Sequence, residues 1–498
     1  MHIEVFDDFE TFDRIRPNWL AVYDADPEAH YMVSWSWLKT YFRDVRPRWF
    51  IAGLKASKDA ADFVGFFPLQ LRTEDDNEGN FWNEIRMGGA EFSDYRGFIC
   101  RPEIQDQAIQ AYADYLRSLN WRQLRLHNLR LSEKRWRGLL KPYTRGQFLV
   151  EESENIDDVD GTNHNICPYA DIGPTWDKYL EKLSANTRQK ARRFLKKVDE
   201  GKEFRVTHAT TKEEVERDLE TLLKFWRTKW EPRKGDRVHT IMGNNRTMLM
   251  GRWRAKELFM PVLWQGERPL VVFGSMLDKS KKTIQFMITG RDETFNSPPP
   301  GFILHAHSIR WAIQNGYQTY DFLQGNEPYK YLFATGEKRL KSVTIKTKNN
   351  ENLGGVLDKR CLDYVLEEAT KLHKEGKLVE AARAYKQIVA SDPHHTGALY
   401  LYAQLEVVRT NHAAAEKLFR SYIEVKPANP DAWFRLAQTQ QAQADIEGAV
   451  KSYRKVMELE PSNTKVPPIL LELKGPSALP TPGRTAPKLD LDALLRAK

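Results

Sequence analysis

Three short runs decide the reading of the last third of the chain: Ala381-Ala382-Arg383-Ala384-Tyr385, Ala415-Glu416-Lys417-Leu418-Phe419 and Ala449-Val450-Lys451-Ser452-Tyr453. They recur every 34 residues (381, 415, 449), in step with Pro393, Pro427 and Pro461. A small residue opens each run and lets two helices approach closely; an aromatic one turn later fills the space beside it. Each proline then stops a helix, because it lacks a donor and clashes with the preceding turn. A generic helical bundle does not hold one period at several positions at once. The segment from about Leu362 to Asn463 therefore reads as three tandem helical hairpins.

These hairpins resemble the tetratricopeptide repeat family. Trp433 and Ala437 match its first-helix aromatic and small positions, and Val365 replaces the aromatic in the first repeat. The resemblance implies an all-α solenoid over residues 358–474 whose concave groove takes a protein partner. The Pro- and Ala-rich tail, 475–498, reads as a flexible linker ending in a short amphipathic turn, Leu489 to Leu495. A capping helix and a docking peptide both fit that turn.

A chain of 498 residues is too long for one core, and its length suggests three domains. Apolar content of 41% with 29% charged residues describes an ordinary globular protein rather than a disordered one. Cys100, Cys167 and Cys361 lie far apart and in no metal-ligand spacing, which argues against a disulfide framework and for a reducing compartment. The first residues have neither a basic region nor an apolar core of a secretory signal, and no apolar run is long enough to span a membrane. The expectation is a cytoplasmic protein, with peripheral attachment to an inner membrane as its variant. A net charge of +8 suits an anionic small ligand or acceptor and does not by itself call for nucleic acid.

Before the repeats the periodicity changes. Residues 49–54 and 63–69 are short apolar runs that read as strands. Gln107 to Leu119 has helical spacing, and Leu124-Arg125-Leu126 resumes a strand. The charged stretch from Glu151 to Thr162 separates this first lobe, 1–150, from a second, 165–350. The second predicts helices over 176–183, 184–198 and 212–230, then strands at 257–264, 269–277 and 282–288. A loop from Thr289 to Pro300 leads into a helix over 301–314, a strand at 320–323 and a terminal strand at 341–346 that closes the lobe.

That order, with Tyr320-Asp321-Phe322-Leu323-Gln324-Gly325-Asn326-Glu327-Pro328-Tyr329-Lys330-Tyr331 and the upstream Pro300-Gly301-Phe302-Ile303-Leu304, resembles GNAT acetyltransferases of the Fem-like and cellulose-biosynthesis accessory type. Ser34-Trp35-Ser36-Trp37-Leu38 and Ser93-Asp94-Tyr95 add to the likeness over roughly residues 1–345. The resemblance implies an α/β (α+β) fold of tandem GNAT-like lobes with mixed sheets, and an acceptor in the cleft between them. It also implies acetyl-coenzyme A or another acyl-coenzyme A as donor. A loop entering a helix offers free N–H groups and the positive end of a dipole to a pyrophosphate. Gly290, Arg291, Gly301 and Phe302 are the candidates there, although three prolines make this loop poorer in glycine than the family's usual one.

Attack on a thioester needs a base, oxyanion donors and an acid for the leaving thiolate. Asp321 and Glu327 are candidate bases or turn caps. Tyr329 is a candidate acid or a packed aromatic, and Lys330 a ligand for a phosphate or an acidic acceptor, or a solvated lysine. Asp94 and Tyr95 are candidates for binding the acceptor or for a tight turn. The basic run Arg188, Lys190, Arg192, Arg193, Lys196 and Lys197 suits an anion or is a solvated face; without interleaved aromatics it is a poor match to nucleic acid. His305 and His307 fall on different faces of a helix and suggest no metal. The leading reading is an acyltransferase acting on a sugar, a lipid-linked glycan precursor or a protein side chain, with the repeats recruiting a partner in envelope or exopolysaccharide assembly. Aminoacyl transfer from charged transfer RNA ranks second, because no long helical arm is legible. A non-catalytic scaffold ranks third.

Overall fold

The computed structural model describes residues 1–44, 48–89, 93–144 and 146–474. The expected flexible tail, 475–498, lies outside the described residues. The first lobe runs β1 (His2–Phe6), α1 (Phe9–Arg14), α2 (Arg16–Ala25), α3 (Trp35–Asp44), β2 (Arg48–Lys55) and β3 (Phe63–Asp75). It continues through β4 (Phe81–Met87), β5 (Ile99–Cys100), α4 (Gln105–Ser118), β6 (Gln123–Leu129), α5 (Glu133–Leu140) and β7 (Phe148–Glu152). The second begins β8 (Ile166–Asp171), α6 (Trp176–Glu181), α7 (Ala185–Glu200), β9 (Arg205–His208), α8 (Lys212–Lys234) and α9 (Arg237–Arg254). After these come β10 (Leu258–Phe259), β11 (Pro261–Gln265), β12 (Arg268–Asp278), β13 (Thr283–Arg291) and α10 (Pro300–Gln314), then β14 (Thr319–Asp321), β15 (Gly336–Arg339) and β16 (Lys341–Thr347).

Two mixed sheets result. The first has the order β1-β2-β3-β4-β6-β16-β7 with β5 on β3, and the second β15-β8-β14-β13-β12-β11-β9 with β10 on β12. Strands β2 and β12 are almost wholly buried along their length, so they read as unbroken apolar runs rather than as alternation. Three expectations change. The terminal strand over 341–346 joins the first sheet, between β6 and β7, instead of closing the second lobe. The single strand over 257–264 is two, broken before Pro261, whose missing N–H cannot serve a ladder. The strand over 320–323 ends at Asp321, because Leu323 takes a left-handed φ of 57° and turns the chain out of the sheet.

Two helices of the second lobe begin where side chains cap them. Ser184 caps α7, and Thr211 with Glu214 forms a capping box on α8. Helix α9 was not expected from the sequence; it buries Val238, Met248, Leu249 and Met250. One hydrophobic core runs through both lobes, joining Trp19, Trp37 and Tyr95 of the first to Leu222, Leu249 and Leu323 of the second. Residues 1–71, 85–117 and 124–346 accordingly form one compact unit.

The second unit gathers 72–84, 118–123 and the chain from Thr347 onward. Its helices pair as α11 (Leu362–Lys374) with α12 (Leu378–Ser391), α13 (Thr396–Val408) with α14 (His412–Val425), and α15 (Pro430–Ala442) with α16 (Ile446–Leu459), followed by α17 (Val466–Lys474). Ala381, Ala415, Ala449, Tyr385, Phe419 and Tyr453 are all buried. Each second helix stops two residues before its proline, at 391, 425 and 459. The fold is thus mixed α/β lobes followed by an all-α repeat region.

Candidate active site

Strands β13 and β14 run parallel and pair only through Thr283–Thr319, Ile284–Tyr320 and Gln285–Asp321. Beyond that point β13 continues along β12, while the chain after Asp321 follows β8, with Phe322 N–H on Pro168 O at 3.0 Å and Gly325 N–H on Ile166 O at 2.9 Å. The two strands therefore part company at Gln285 and Asp321. Backbone edges that diverge in this way lack a ladder partner on one side and can be satisfied by an inserted ligand.

At the fork the two lobes meet through side chains. The Tyr95 hydroxyl donates to Asp321 Oδ1 at 2.7 Å, the Leu323 N–H donates to the same oxygen at 2.9 Å, and Lys338 Nζ lies 3.4 Å from Oδ2. Gln324 Nε2 donates to the Asp94 carbonyl at 2.7 Å. Asp321 is 0% exposed and fully engaged, which makes it a strut between lobes more than an accessible base. Burial pushes the Asp94 carboxyl above the ordinary range, while the nearby Lys330 charge and the Gln324 N–H pull it back down. Burial also lowers Lys338 against the pull of Asp321.

Lys330 is not a solvated lysine. It is 3% exposed, and its Nζ donates to Gln324 O at 2.5 Å and Gly325 O at 3.0 Å, with Glu327 Oε2 at 2.9 Å. The two carbonyl bonds clamp the turn that carries Gln324 to Asp94, and Glu327 supplies the opposite charge. Tyr329 remains 39% exposed, its ring stacked on the buried His305 at 5.8 Å.

The four residues expected at the pyrophosphate divide in two. A Cβ on Gly290 would lie 2.3 Å from the Leu222 carbonyl oxygen, so its missing side chain admits helix α8 rather than a ligand. Arg291 is held by Glu293, Nε to Oε1 at 3.0 Å. Gly301 and Phe302 fit better. They open α10, where Gly301 has open space beside it and Phe302 packs on Phe194 of α7 with ring centroids 6.0 Å apart. That packing brings the basic helix beside the α10 terminus, and Arg193 lies over the same Phe194 ring at 4.7 Å.

The structure thus brings Asp94, Tyr95 and Asp321 together, links Lys330 to them through the Gln324–Gly325 turn, and leaves Gly290 and Arg291 aside. Sequence reasoning missed Lys338 and Gln324. Gln324 stood inside the recognisable segment, whereas Lys338, between Glu337 and Arg339, gave no signal. No group of three or more metal-ligating side chains occurs among the described residues.

Residues 185–331 match the acetyltransferase (GNAT) domain family, and 430–463 match the tetratricopeptide repeat family. No curated protein matches the sequence. Among solved structures, FemX is 11% identical over 70% of this chain and 96% of its own, with a TM-score of 0.47. A conserved protein of unknown function from Bacteroides thetaiotaomicron is 10% identical over 70% and 100%, with a TM-score of 0.41. The first tetratricopeptide domain of Spaghetti (RPAP3), bound to an HSP90 peptide, is 25% identical over 23% and 92%, with a TM-score of 0.22. The chain carries a GNAT-type acetyltransferase domain and a tetratricopeptide repeat.

Proposed function

We propose that this chain transfers an acyl group, with acetyl as the expected one, from acyl-coenzyme A to an amine or hydroxyl of a sugar, a glycan precursor or a protein. The fork between β13 and β14 at Gln285 and Asp321, inside the span matching the GNAT family, is the observation that carries the reading. The free N–H groups at the start of α10, with Arg193 and Lys190 of α7, would hold the pyrophosphate. The acceptor atom attacks the thioester carbonyl and loses its proton as the C–S bond breaks.

Of the carboxylates at the fork, Asp94 suits the base best, because burial raises its affinity for a proton above that of an ordinary carboxylate. Asp321 orients Tyr95, Lys330 shapes the Gln324 turn, and the Tyr329 hydroxyl is the donor we assign to the leaving thiolate. Glu327 neutralises Lys330. The repeats would bring a protein partner, and an accessory role in envelope or exopolysaccharide synthesis, such as that of cellulose, agrees with the sequence likeness. Calorimetric titration of the full-length chain with acetyl-coenzyme A and with an aminoacyl-RNA tests the donor. Binding of the RNA with no response to the coenzyme would move the assignment to Fem-type aminoacyl transfer, and silence toward both would leave a scaffold.

A further inference from the structure

A cavity of about 650 Å³ lies between α2 and α3 of the first lobe and the α9–β10 and β12–β13 connections of the second. None of its lining residues belongs to the Asp94–Asp321 group. The chain joins the two sites all the same: Tyr31 lines the cavity, and its neighbour Met32 accepts the Tyr95 N–H at 3.1 Å.

The cavity wall carries Arg252, 3% exposed. Its Nη1 donates to the Tyr31 hydroxyl at 3.0 Å, to Ser36 Oγ at 3.1 Å and to Glu257 Oε2 at 3.0 Å, and its Nη2 to Thr40 Oγ1. Its Nε is buried with no hydrogen-bond partner. The carboxylates lining the cavity are already committed. Glu257 accepts from Tyr31 at 2.6 Å and Ser36 at 2.7 Å as well as from Arg252, Asp278 accepts from the Tyr23 hydroxyl at 2.6 Å, and Asp24 accepts from Ser280. Among the cations Lys39 pairs with Asp13 at 2.8 Å, and Arg16 lies over the Trp35 ring at 4.6 Å. Arg16, Arg254 and Lys279 are exposed, line the cavity, and form no ion pair among the described residues.

Single unpaired surface cations are commonplace, and solvent satisfies them. Three around one hollow, over a buried guanidinium with a spare donor and with five lining cations against three lining carboxylates, give a focused positive potential that a solvated face does not need. Several separate cations suit a dianion better than a lone carboxylate, and guanidinium groups pair with phosphate oxygens in a two-pronged geometry.

We propose that this cavity binds a phosphate-bearing small molecule, its phosphate held by Arg16, Arg254 and Lys279 and its body lying toward Leu20, Tyr31 and Arg252. The ligand's role as acyl acceptor rests on the transferase reading; its binding does not. The test is calorimetric titration of inorganic pyrophosphate into full-length chain already saturated with coenzyme A, so that the α10 terminus is occupied. The wild type should bind. The Arg254→Gln/Lys279→Gln pair should weaken that isotherm tenfold or more. Leu20→Trp, which fills the mouth and keeps every charge, should also weaken it, and neither change should alter the coenzyme isotherm. Lys190→Gln/Arg193→Gln on α7 should leave pyrophosphate binding in the saturated chain as it was. No binding by the wild type, or binding indifferent to both cavity variants, overturns the proposal. A chain that ignores the coenzyme yet binds pyrophosphate with this mutational pattern keeps the cavity and loses the transferase.

Discussion

The proton affinity of Asp94 is set by a contest between burial, which raises it, and the Lys330 charge and Gln324 N–H, which lower it; burial wins. Because the folded carboxyl titrates above the ordinary value of about 3.9, the base form is lost as pH falls through that raised point. The acid limb of kcat/KM should therefore lie above the ordinary carboxylate range. Asp94→Asn should lower kcat by about a hundredfold or more and leave coenzyme binding intact; a profile and rate unchanged from the wild type would remove Asp94 from the chemistry. Lys330 supports a different expectation. Its ammonium holds two carbonyl oxygens and Glu327 in a buried place, so Lys330→Met should cost about 1–3 kcal/mol of stability, seen as a lower thermal midpoint. An unchanged midpoint with lost activity would return Lys330 to the role of a ligand-binding lysine.

Among the elements, strand β13 and helix α8 touch backbone to backbone at Gly290 and Leu222. Gly290→Ala has no room unless the helix retreats, and overpacking of this kind costs about 1–3 kcal/mol; the urea midpoint of the full chain reads it. The sequence offered this glycine as a phosphate residue because a glycine near a strand end looks the same whether a ligand or a helix comes close. The repeats were legible almost residue by residue, since Ala381, Ala415 and Ala449 with their aromatics keep one register and all are buried. Strands β10 to β14 of the second sheet were legible as apolar runs, but not where a local conformation ended them, as at Pro261 and Leu323, and the short β8, β9 and β15 were not read at all. The destination of β16 was not legible at all. Adjacency in sequence suggested the second lobe, while pairing across more than 200 residues, as in Asn128 N–H to Ser342 Oγ at 3.0 Å, placed it in the first sheet. The contacts of Asp321 were hidden in the same way, since its partner Tyr95 lies 226 positions away.

For the whole molecule, the compact units do not follow chain order. The tip of the β3–β4 hairpin belongs with the helical repeats. Phe81 exchanges two backbone bonds with the Gln387 side chain, each 2.9 Å, and Asn83 bonds Asn352, Asp358 and Cys361 at 3.0, 2.7 and 3.2 Å. A fragment of residues 355–475 lacks those partners. It should melt at a lower temperature than the same helices do in the full chain, by calorimetry; equal midpoints would mean that the hairpin contributes nothing. The repeats, then, are not an appendage that can be cut off and grafted elsewhere with their properties kept. A stretch of early sequence is stitched into them, so an insertion or deletion between Arg72 and Glu84 would be felt in the helical repeats even though it lies hundreds of residues upstream.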